Sequence, residues 1–402
     1  MKNMICRMGL AVLLGLAGSV AAQGEKPDQP YKLGYLLDAS GPQQTTIKPA
    51  YEGFKLFIDE LNARGGVNGR QIEIVAKDTQ SDVQRSLDAV QDLGRQKVLG
   101  ILGLAASNAH AAVYTAAGRQ SIPVLAGYPV NIPLVLSPAK PNTFGVGLEL
   151  SRAGTVGGKF ARQVSPEGKS TVCVAFEVPG SILACEKIVA TAKEQGFTQT
   201  EIITVPLPQR DFRTVVERIV RANPDVVTMC LGQGHVASLL PALANSGYEG
   251  IFLSMDTGIG ERTLLAAVPP ESKLTVYSYG RFISNAKSPG SQVEQLSQAL
   301  SKAGMGEIEA SYAGGWTLGL VTEQALKNCP NGCKSSKDFE AALNAVDVDT
   351  GGLTGVNVKF TPEDHFGDSA YRLYKLDNRA RTFSTVGDWV NVAGDGVISL
   401  SQ

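Results

Sequence analysis

The feature that most constrains the fold of this chain is a regular alternation of short apolar segments with amphipathic segments of helical length. YKLGYLL and QIEIVAKD have the length of strands, and between them the apolar residues of positions 51–61 recur at helical spacing. The same order continues through a helix over residues 82–96, the strand KVLGILG, a helix over residues 107–119 and the strand IPVLAG. Strands that alternate with helices in this way predict right-handed crossovers and a parallel, doubly wound sheet.

The alternation stops over residues 137–158, which are rich in proline and glycine, and then restarts. TVCVAF, EIITVPL, DVVTMCL and GIFLSM have the composition of strands and are separated by stretches of helical length. We therefore expect a second α/β lobe, followed by helices over residues 292–302 and 312–327 and a tail rich in strands. Two such lobes leave a cleft at the carboxyl ends of both sheets, where open α/β sheets bind ligands.

The N-terminal segment differs in character from the rest of the chain. Lys2 and Arg7 precede an uncharged apolar run over residues 8–22 that ends in SVAA. This pattern is typical of a secretory signal peptide, and we expect cleavage after Ala22, with Ala21 as the alternative. The run is shorter than the roughly 20 residues of a spanning helix, so it does not predict a membrane anchor. No cysteine lies at the cleavage point, so a lipid anchor is not predicted there.

Motifs of common enzyme classes are missing from the sequence. GKST at residues 168–171 resembles the end of a phosphate-binding loop, but Gln163 stands where the motif requires a glycine. The three histidines, His110, His235 and His365, lie far apart and lack the spacing of metal ligands. With a formal net charge of −1, the chain also has no basic face for nucleic acid. We expect no catalytic residues, no metal, no cofactor and no nucleic-acid partner.

Cys6 is lost with the signal peptide, and five cysteines remain: Cys173, Cys185, Cys230, Cys329 and Cys333. An odd number in an oxidising compartment leaves at least one thiol unpaired. We predict a disulfide between Cys329 and Cys333, because the intervening PNG can form a turn; a metal site there is the less favoured alternative. Cys173 lies in the middle of a strand, and we interpret it as a buried free thiol. A disulfide between Cys185 and Cys230 is a further alternative.

The stretch VLGILGLAASNA, residues 98–109, joins an apolar strand through a glycine-bearing turn to the start of a helix. Such a junction directs unpaired backbone N–H groups and the positive end of the helix dipole toward the sheet edge. It can hold a carboxylate with Ser107 as a contact, or Ser107 can simply cap the helix. Asp256 follows the strand IFLSM and could meet a ligand cation opposite Ser107. Its alternative role is an N-cap for a helix over residues 261–267.

Further candidate ligand contacts lie at the expected carboxyl ends of strands or in the loops that follow them. Because these ends meet at one edge of each sheet, their side chains should converge on the cleft. The candidates are Thr45, Thr46, Ala105, Ala106, Gly127, Tyr128 and Val130 in the first lobe, and Glu177, Ser181, Gly232 and Gln233 in the second.

Several segments taken in order resemble a known family. YKLGYLLDASGP, AYEGFKLFIDELNARGGVNGRQIEIVAKDTQSD, VLGILGLAASNA and IPVLAG are similar to the branched-chain amino-acid (leucine/isoleucine/valine) binding proteins, the periplasmic receptors of ABC importers. The similarity in pattern extends from about residue 31 to about residue 376. It implies the type I periplasmic binding protein fold: α/β, with two doubly wound parallel-sheet lobes, three crossover segments and a ligand cleft between the lobes.

The resemblance also implies domain limits. The crossings fall near residues 142–152, 273–283 and 355–364. The N-terminal lobe then comprises residues 30–145 plus 283–358, and the C-terminal lobe comprises residues 146–282 plus 359–402.

Two site residues match the roles that the resemblance implies. Ser107 stands where the family binds the ligand carboxylate through a serine and main-chain N–H groups. Asp256 stands where the family has an acid, usually glutamate, that takes the ligand ammonium. Because aspartate is one methylene shorter, either the ligand reaches further or a water bridges the gap.

Other site positions depart from the family. Val130 replaces a threonine that binds the carboxylate, which removes a hydrogen bond of roughly 1.5–3 kcal/mol to a charged partner. Tyr128 replaces a small residue and could form an aromatic wall with a polar tip. Ser181 and one of Gly232 or Gln233 stand where the family has tyrosines that cover the ligand.

From the residues and the resemblance we predict a monomeric periplasmic receptor whose lobes close on a small amino acid or amino-acid-like solute. It delivers this solute to an inner-membrane ABC permease. Closing requires no chemistry, because a ligand that touches both lobes shifts the population toward the closed form. A receptor for a non-standard carboxylate or amide, such as an aromatic acid, is the alternative within the class. An exported α/β enzyme or a sensory ligand-binding module is the alternative outside it.

Overall fold

The computed structural model describes residues 29–103, 107–127, 139–255, 261–281, 291–367, 370–393 and 396–399. The strands of these ranges, in chain order, are β1 Tyr31–Leu37, β2 Ile72–Asp78, β3 Ile101–Gly103, β4 Val124–Ala126, β5 Thr143–Gly145, β6 Ser170–Phe176, β7 Gln199–Val205, β8 Val226–Cys230, β9 Ile251–Met255, β10 Thr275–Gly280, β11 Asp347–Val348, β12 Val358–Lys359, β13 Ala370–Asp377, β14 Thr382–Ala393 and β15 Gly396–Ser399. The helices are α1 Gln44–Ala63, α2 Val83–Arg95, α3 Ser107–Arg119, α4 Leu150–Val164, α5 Pro179–Glu194, α6 Arg213–Ala222, α7 Gln233–Ala244, α8 Glu261–Ala267, α9 Gln292–Lys302, α10 Ala310–Lys327 and α11 Ser336–Leu343. The expected signal peptide lies outside the described residues.

The first sheet is wholly parallel, with the strand order β2-β1-β3-β4-β5. The order reverses beside β1, so a crevice opens at the carboxyl ends of β1 and β3. Helix α10, from late in the chain, packs on α1 of this lobe. Gly53 and Gly315 allow the close approach, because a Cβ atom on either would collide with the backbone of the other helix.

The second sheet has the order β15-β14-β13-β10-β9-β8-β6-β7. Its parallel part, β7-β6-β8-β9-β10, repeats the order of the first sheet, so its crevice lies between β6 and β8. Strands β13, β14 and β15 extend this sheet in antiparallel fashion. These strands form the strand-rich tail expected from the sequence, and they are antiparallel because a short connection such as the one between β13 and β14 can join only antiparallel neighbours.

The order of the described elements places three passages of the chain between the two lobes, between β5 and α4, between β10 and α9, and between β12 and β13. The third passage lies beside the first sheet, because Gly145 N donates to His365 O at 2.9 Å and Gly367 N donates to Gly145 O at 3.1 Å. The first passage ends at Glu149, a buried residue whose carboxylate caps α4 by accepting from Ser151 N at 2.8 Å and Arg152 N at 2.5 Å. Backbone and side-chain hydrogen bonds thus fix the chain where it leaves each lobe.

The interpretation of Cys173 as a buried free thiol is wrong, because Cys173 forms a disulfide. Cys173 on β6 is bonded to Cys185 on α5, with 5.6 Å between the Cα atoms. The helix that follows β6 packs back on it, so two residues 12 apart in sequence meet in the core. A bridge from Cys185 to Cys230 is excluded in this structure, where Cys230 is a buried free thiol. Cys329 and Cys333 are joined across a turn after α10, with 5.3 Å between the Cα atoms.

Candidate ligand-binding cleft

Four helices begin at the two crevices. Helices α1 and α3 follow strands β1 and β3 of the first sheet, and α5 and α7 follow strands β6 and β8 of the second. Across the cleft, α1 contacts α7 and α3 contacts α5. The N-terminus of a helix carries unpaired N–H groups and the positive end of the helix dipole, so this arrangement favours an anionic group between the lobes.

The loop between β1 and α1 is fixed by two aspartates, which the sequence analysis did not single out. Asp38 is fully buried, and its carboxylate accepts from Gly41 N at 2.5 Å and Gln43 N at 3.0 Å, and from the hydroxyl of Ser81. Asp78 accepts from Ala39 N at 2.9 Å.

The hydrogen bonds to Asp78 lower the pKa of its carboxyl group. Burial raises the pKa of Asp78, but hydrogen bonds from Ser40, Ala39 and Gln80 outweigh this, so the pKa lies below its ordinary value. The carboxylate is thus held ionised as an acceptor for the loop. A rigid loop in turn fixes the first turn of α1, where Thr45 and Thr46 lie.

Thr45 and Thr46 contact the second lobe directly. Gln233 N donates to Thr46 Oγ1 at 3.1 Å, and Gly234 N donates to Thr45 Oγ1 at 3.2 Å. Thr46 is buried, with 3% of its surface exposed. The two threonines, together with Gln233, thus lie where the lobes meet.

The side chain of Gln233 is held by residues of both lobes. Its Nε2 donates to Thr263 Oγ1 at 2.7 Å and to Glu309 Oε2 at 3.4 Å. Glu309 is the N-cap residue of α10, which packs on the first lobe. Neither Thr263 nor Glu309 had a sequence signal, because both contacts depend on how the lobes are placed.

Ser181 is buried and hydrogen-bonded within the second lobe, not exposed to the cleft. Its hydroxyl accepts from Phe176 N at 2.8 Å and donates to Cys230 O at 2.5 Å, and only 3% of the residue is exposed. It therefore joins the ends of β6 and β8 through the first turn of α5. This geometry favours a positioning role for Ser181 over the ligand contact that the sequence analysis expected.

The strand-to-helix junction at residues 98–109 requires a glycine at its turn. Gly103 has φ +78°, and a Cβ atom there would collide with Leu36 O and the ring of Tyr35. Gly127, at the end of the next strand, donates its N–H to Gly103 O at 2.7 Å. Helix α3 begins at Ser107, as expected from the sequence. Asn108 then ties the helix to the Ser81 loop, since its Nδ2 donates to Ser81 O at 3.1 Å.

Several expected contacts fall outside the described residues. For Ser107 the structure describes the backbone only. The residues that lie wholly outside the described ranges are Ala105, Ala106, Tyr128, Val130 and Asp256.

His235 is a further buried polar residue at the start of α7. Its Nε2 lies 3.0 Å from Leu207 O, it also contacts the guanidinium of Arg210, and its ring meets Phe176 edge-on. Burial, followed by the positive charge of Arg210, lowers the pKa of His235 to about 4, so it is neutral at neutral pH. It attaches the loop before α6 to the base of the cleft.

Neither a metal-binding cluster nor a membrane-spanning helix is found among the described residues. Over the ranges given above, no group of three or more His, Cys, Asp or Glu residues is placed to hold a metal ion. The helices within those ranges include none with the length and hydropathy needed to cross a bilayer.

Comparison with known proteins places this geometry in context. A family model described as periplasmic binding protein matches residues 30–381. The Leu/Ile/Val-binding protein homolog 2 of Brucella abortus (strain 2308) is 22% identical over 289 residues, 69% of this chain and 72% of that protein.

Two solved structures share the fold at low identity. A solute-binding protein of an ABC transporter from R. palustris, in complex with benzoate, has a TM-score of 0.78 at 15% identity and covers 89% of this chain and 96% of its own. The branched-chain amino acid transporter substrate binding protein LivJ from Streptococcus pneumoniae, in complex with isoleucine, has a TM-score of 0.73 at 18% identity, with coverage of 89% and 99%. The same two-lobed fold therefore accepts both an aromatic acid and an aliphatic amino acid in these neighbours.

Proposed function

Because the chain belongs to the periplasmic binding protein family, we propose that it is the solute receptor of an ABC importer. Its lobes close on a small amino acid or amino-acid-like carboxylate, and the closed receptor delivers this solute to an inner-membrane permease. It acts in the periplasm as a monomer, after removal of residues 1–22.

One observation carries this proposal: helices that begin at the crevices of two sheets meet in contacting pairs across the cleft, α1 with α7 and α3 with α5. A carboxylate at the start of α3 receives the first N–H groups of that helix and the favourable end of its dipole, while α1 and α7 hold the lobes together beside it. A solute bound there touches both lobes only when they are closed. Its binding free energy therefore favours the closed form, which is what a transport receptor requires.

The two ends of the solute are assigned to different lobes. We assign the carboxylate to Ser107 and the first backbone N–H groups of α3, next to Gly127 and Ala105. The cationic or donor end is assigned to Asp256 in the second lobe. A plain acid would leave the carboxylate of Asp256 without a cationic partner, which favours a solute with an amine.

An aromatic carboxylate or amide is the second candidate. It is favoured by the presence of Tyr128 and Val130 where the amino-acid receptors have a small residue and a threonine. Tyr128 offers a flat apolar face with a polar tip, which suits a ring. The loss of the hydroxyl at Val130 weakens the site for a standard α-amino acid.

Neither candidate function includes catalysis. A nucleophilic enzyme needs a nucleophile and a base within hydrogen-bond reach in the cleft. The contacts assembled at Thr46, Gln233 and Glu309 are hydrogen bonds between lobes, which serve closure.

A binding screen on the purified mature protein tests this proposal. Thermal unfolding is measured against leucine, isoleucine, their amides, benzoate and 4-hydroxybenzoate, and calorimetry follows for each hit. We expect a saturable shift, because a solute at 100 times its Kd adds about 2.7 kcal/mol of stability. Consumption of a solute without a saturable shift, or no shift across amino acids, amides and aromatic acids, would contradict the proposal.

A further inference from the structure

Helix α7 has an unusual N-terminus. Its N-cap residue is Gly232, which has no side chain with which to cap the helix. The first N–H groups of a helix have no partner within the helix and are usually satisfied by a nearby Ser, Thr, Asp or Asn. Here Gln233 N and Gly234 N donate instead to the hydroxyls of Thr46 and Thr45, which belong to the opposite lobe.

We refer to Thr45, Thr46, Gln233 and Gly234 as the interlobe cap. Its two hydrogen bonds, at 3.1 and 3.2 Å, join positions 187 and 189 residues apart in sequence. The side chain of Gln233 adds a third link, since its Nε2 lies 3.4 Å from Glu309 Oε2 in the first lobe. Three contacts of one helix start therefore reach across the cleft.

The absence of side chains at Gly232 and Gly234 leaves room for the two threonine hydroxyls. A Cβ atom on Gly232 would lie 3.3 Å from Thr46 Oγ1, and one on Gly234 would lie 3.1 Å from Thr45 Oγ1. Both distances are tighter than an ordinary Cβ contact, so a side chain at either position requires the threonine hydroxyl to shift by a few tenths of an ångström. Asp38 and Asp78 hold the loop before α1, so the threonines are presented at a fixed position.

We propose that the interlobe cap is a closure latch: Thr45 and Thr46 cap helix α7 in trans, and this favours the closed arrangement of the lobes even without a solute. When the lobes separate, both N–H groups lose their hydroxyl partners and are left to water. Each exchange of a protein partner for water is modest, so the latch biases the lobes without locking them.

The latch also affects how tightly a solute is held. The apparent Kd of a receptor is its intrinsic Kd divided by the fraction of molecules in the binding-competent state. Weakening the latch lowers the closed population and raises the apparent Kd by the same factor. This consequence for capture rests on the proposed function, whereas the effect on the solute-free protein does not.

Amide hydrogen exchange of the solute-free mature protein tests the latch, with Thr45→Val/Thr46→Val as the variant. Valine keeps the shape of threonine and removes the hydroxyl acceptor. We expect exchange at the amides of Gln233 and Gly234 to become roughly two- to tenfold faster per lost bond. Small-angle X-ray scattering should show a larger radius of gyration for the variant than for the wild type.

Matched controls separate the latch from general loosening. Thr46→Ser keeps the hydroxyl and should retain slow exchange at Gln233. Thr115→Val removes an exposed hydroxyl that donates to Ala111 O within α3, and it should leave both amides unchanged. If the double valine variant fails to fold, Gly234→Val leaves both threonines in place and displaces Thr45, and it should lower the protection of the amide of residue 234 relative to the intrinsic exchange rate of that residue.

Equal protection of residues 233 and 234 in the wild type and the double valine variant, or of residue 234 in the wild type and Gly234→Val, would overturn the latch. The outcome is independent of the solute screen, because no solute is present. A protein that binds a carboxylate but shows equal exchange keeps its proposed function and loses the latch. Faster exchange in a protein that binds none of the screened solutes retains the latch and removes the proposed function.

Discussion

Arg152, at the start of α4, and Asp364, before β13, form an ion pair with 3.0 Å between Nη2 and Oδ2. The two residues belong to the first and third passages of the chain between the lobes. The guanidinium of Arg152 lies 5.3 Å from the centre of the Phe366 ring, and that of Arg281, from the second passage, lies at the same distance. Residues from three connections between the lobes therefore meet around one aromatic ring.

The ion pair should contribute to stability in proportion to the burial of the arginine. Asp364→Asn removes the charge opposite a side chain that is 6% exposed, although the carboxylate itself is 39% exposed. Because water already reaches Asp364, we expect a loss of about 1–2 kcal/mol in the free energy of unfolding, less than for a fully buried pair. Urea denaturation measures it. In the exposed Lys55–Asp59 pair, Asp59→Asn should cost under about 1 kcal/mol; equal losses for the two variants would be inconsistent with this account.

Gly103 and Gly127 offer a matched pair at the first crevice. Gly103→Ala should destabilise the protein by about 1–3 kcal/mol, because its φ of +78° is strained for alanine and its Cβ would meet backbone. The tightest neighbour of a Cβ atom on Gly127 is Leu318 Cδ2, at 3.3 Å, a side-chain methyl that can move aside, whereas the backbone of Gly103 lies at an ordinary contact distance of 3.5 Å. The loss for Gly127→Ala should be clearly smaller in the same denaturation experiment. The reverse order would show that the turn at Gly103 adopts another conformation in solution.

His235 should make the protein less stable in mild acid. Its pKa is about 6.5 when unperturbed and about 4 in the folded protein. Above pH 6.5 His235 is neutral in both the folded and the unfolded state, so its titration does not lower the free energy of unfolding. Between pH 6.5 and 4 only the unfolded state binds the proton, so stability falls progressively, by about 3 kcal/mol in total. Below pH 4 this loss is complete.

The variant His235→Gln removes this titration. Its free energy of unfolding, measured from pH 7 to pH 4, should decline less steeply than that of the wild type. The comparison is made between slopes, so a constant loss of packing in the variant does not affect it. Parallel curves would mean that His235 is protonated equally in both states.

Two substitutions test the ends of the proposed solute site. Ser107→Ala should weaken binding of every carboxylate hit, by about 1–3 kcal/mol for a lost charge-assisted hydrogen bond. Asp256→Asn should selectively weaken hits that carry an amine. Isothermal calorimetry on each hit measures both effects, with Thr115→Val as the unrelated control. Unchanged affinity for Ser107→Ala would leave that residue as a helix cap alone.

The fold class was predictable from the sequence, because hydrophobic periodicity reports which face of each element is buried. The expected helix over residues 292–302 matches α9, Gln292–Lys302, and Asp82 caps α2 by accepting from Arg85 N at 2.7 Å. The resemblance to leucine/isoleucine/valine-binding proteins and the type I fold are confirmed by the family match over residues 30–381 and by the fold shared with LivJ.

Contacts between distant parts of the chain were not predictable in the same way. The disulfide of Cys173 depends on how α5 packs against β6, and the internal hydrogen bonds of Ser181 depend on the spacing of β6 and β8. The contact of Thr46 with Gln233 depends on the distance between two lobes, for which local sequence carries no signal. Domain limits, the solute and its contacts stay predictions.

The bridge between Cys173 and Cys185 has a practical consequence for producing the protein. Both residues are fully buried, and Cys230 is buried in the same hydrophobic core. Synthesis in a reducing cytoplasm leaves all five cysteines of this core as thiols instead of one, and Cys230 then becomes an alternative partner for Cys173 or Cys185 during later oxidation. Secretion, or refolding under a thiol–disulfide buffer, lets the correct pair form before the core closes over it. Thiol titration after denaturation then distinguishes protein that contains the Cys173–Cys185 disulfide from protein whose second lobe folded with these cysteines still reduced.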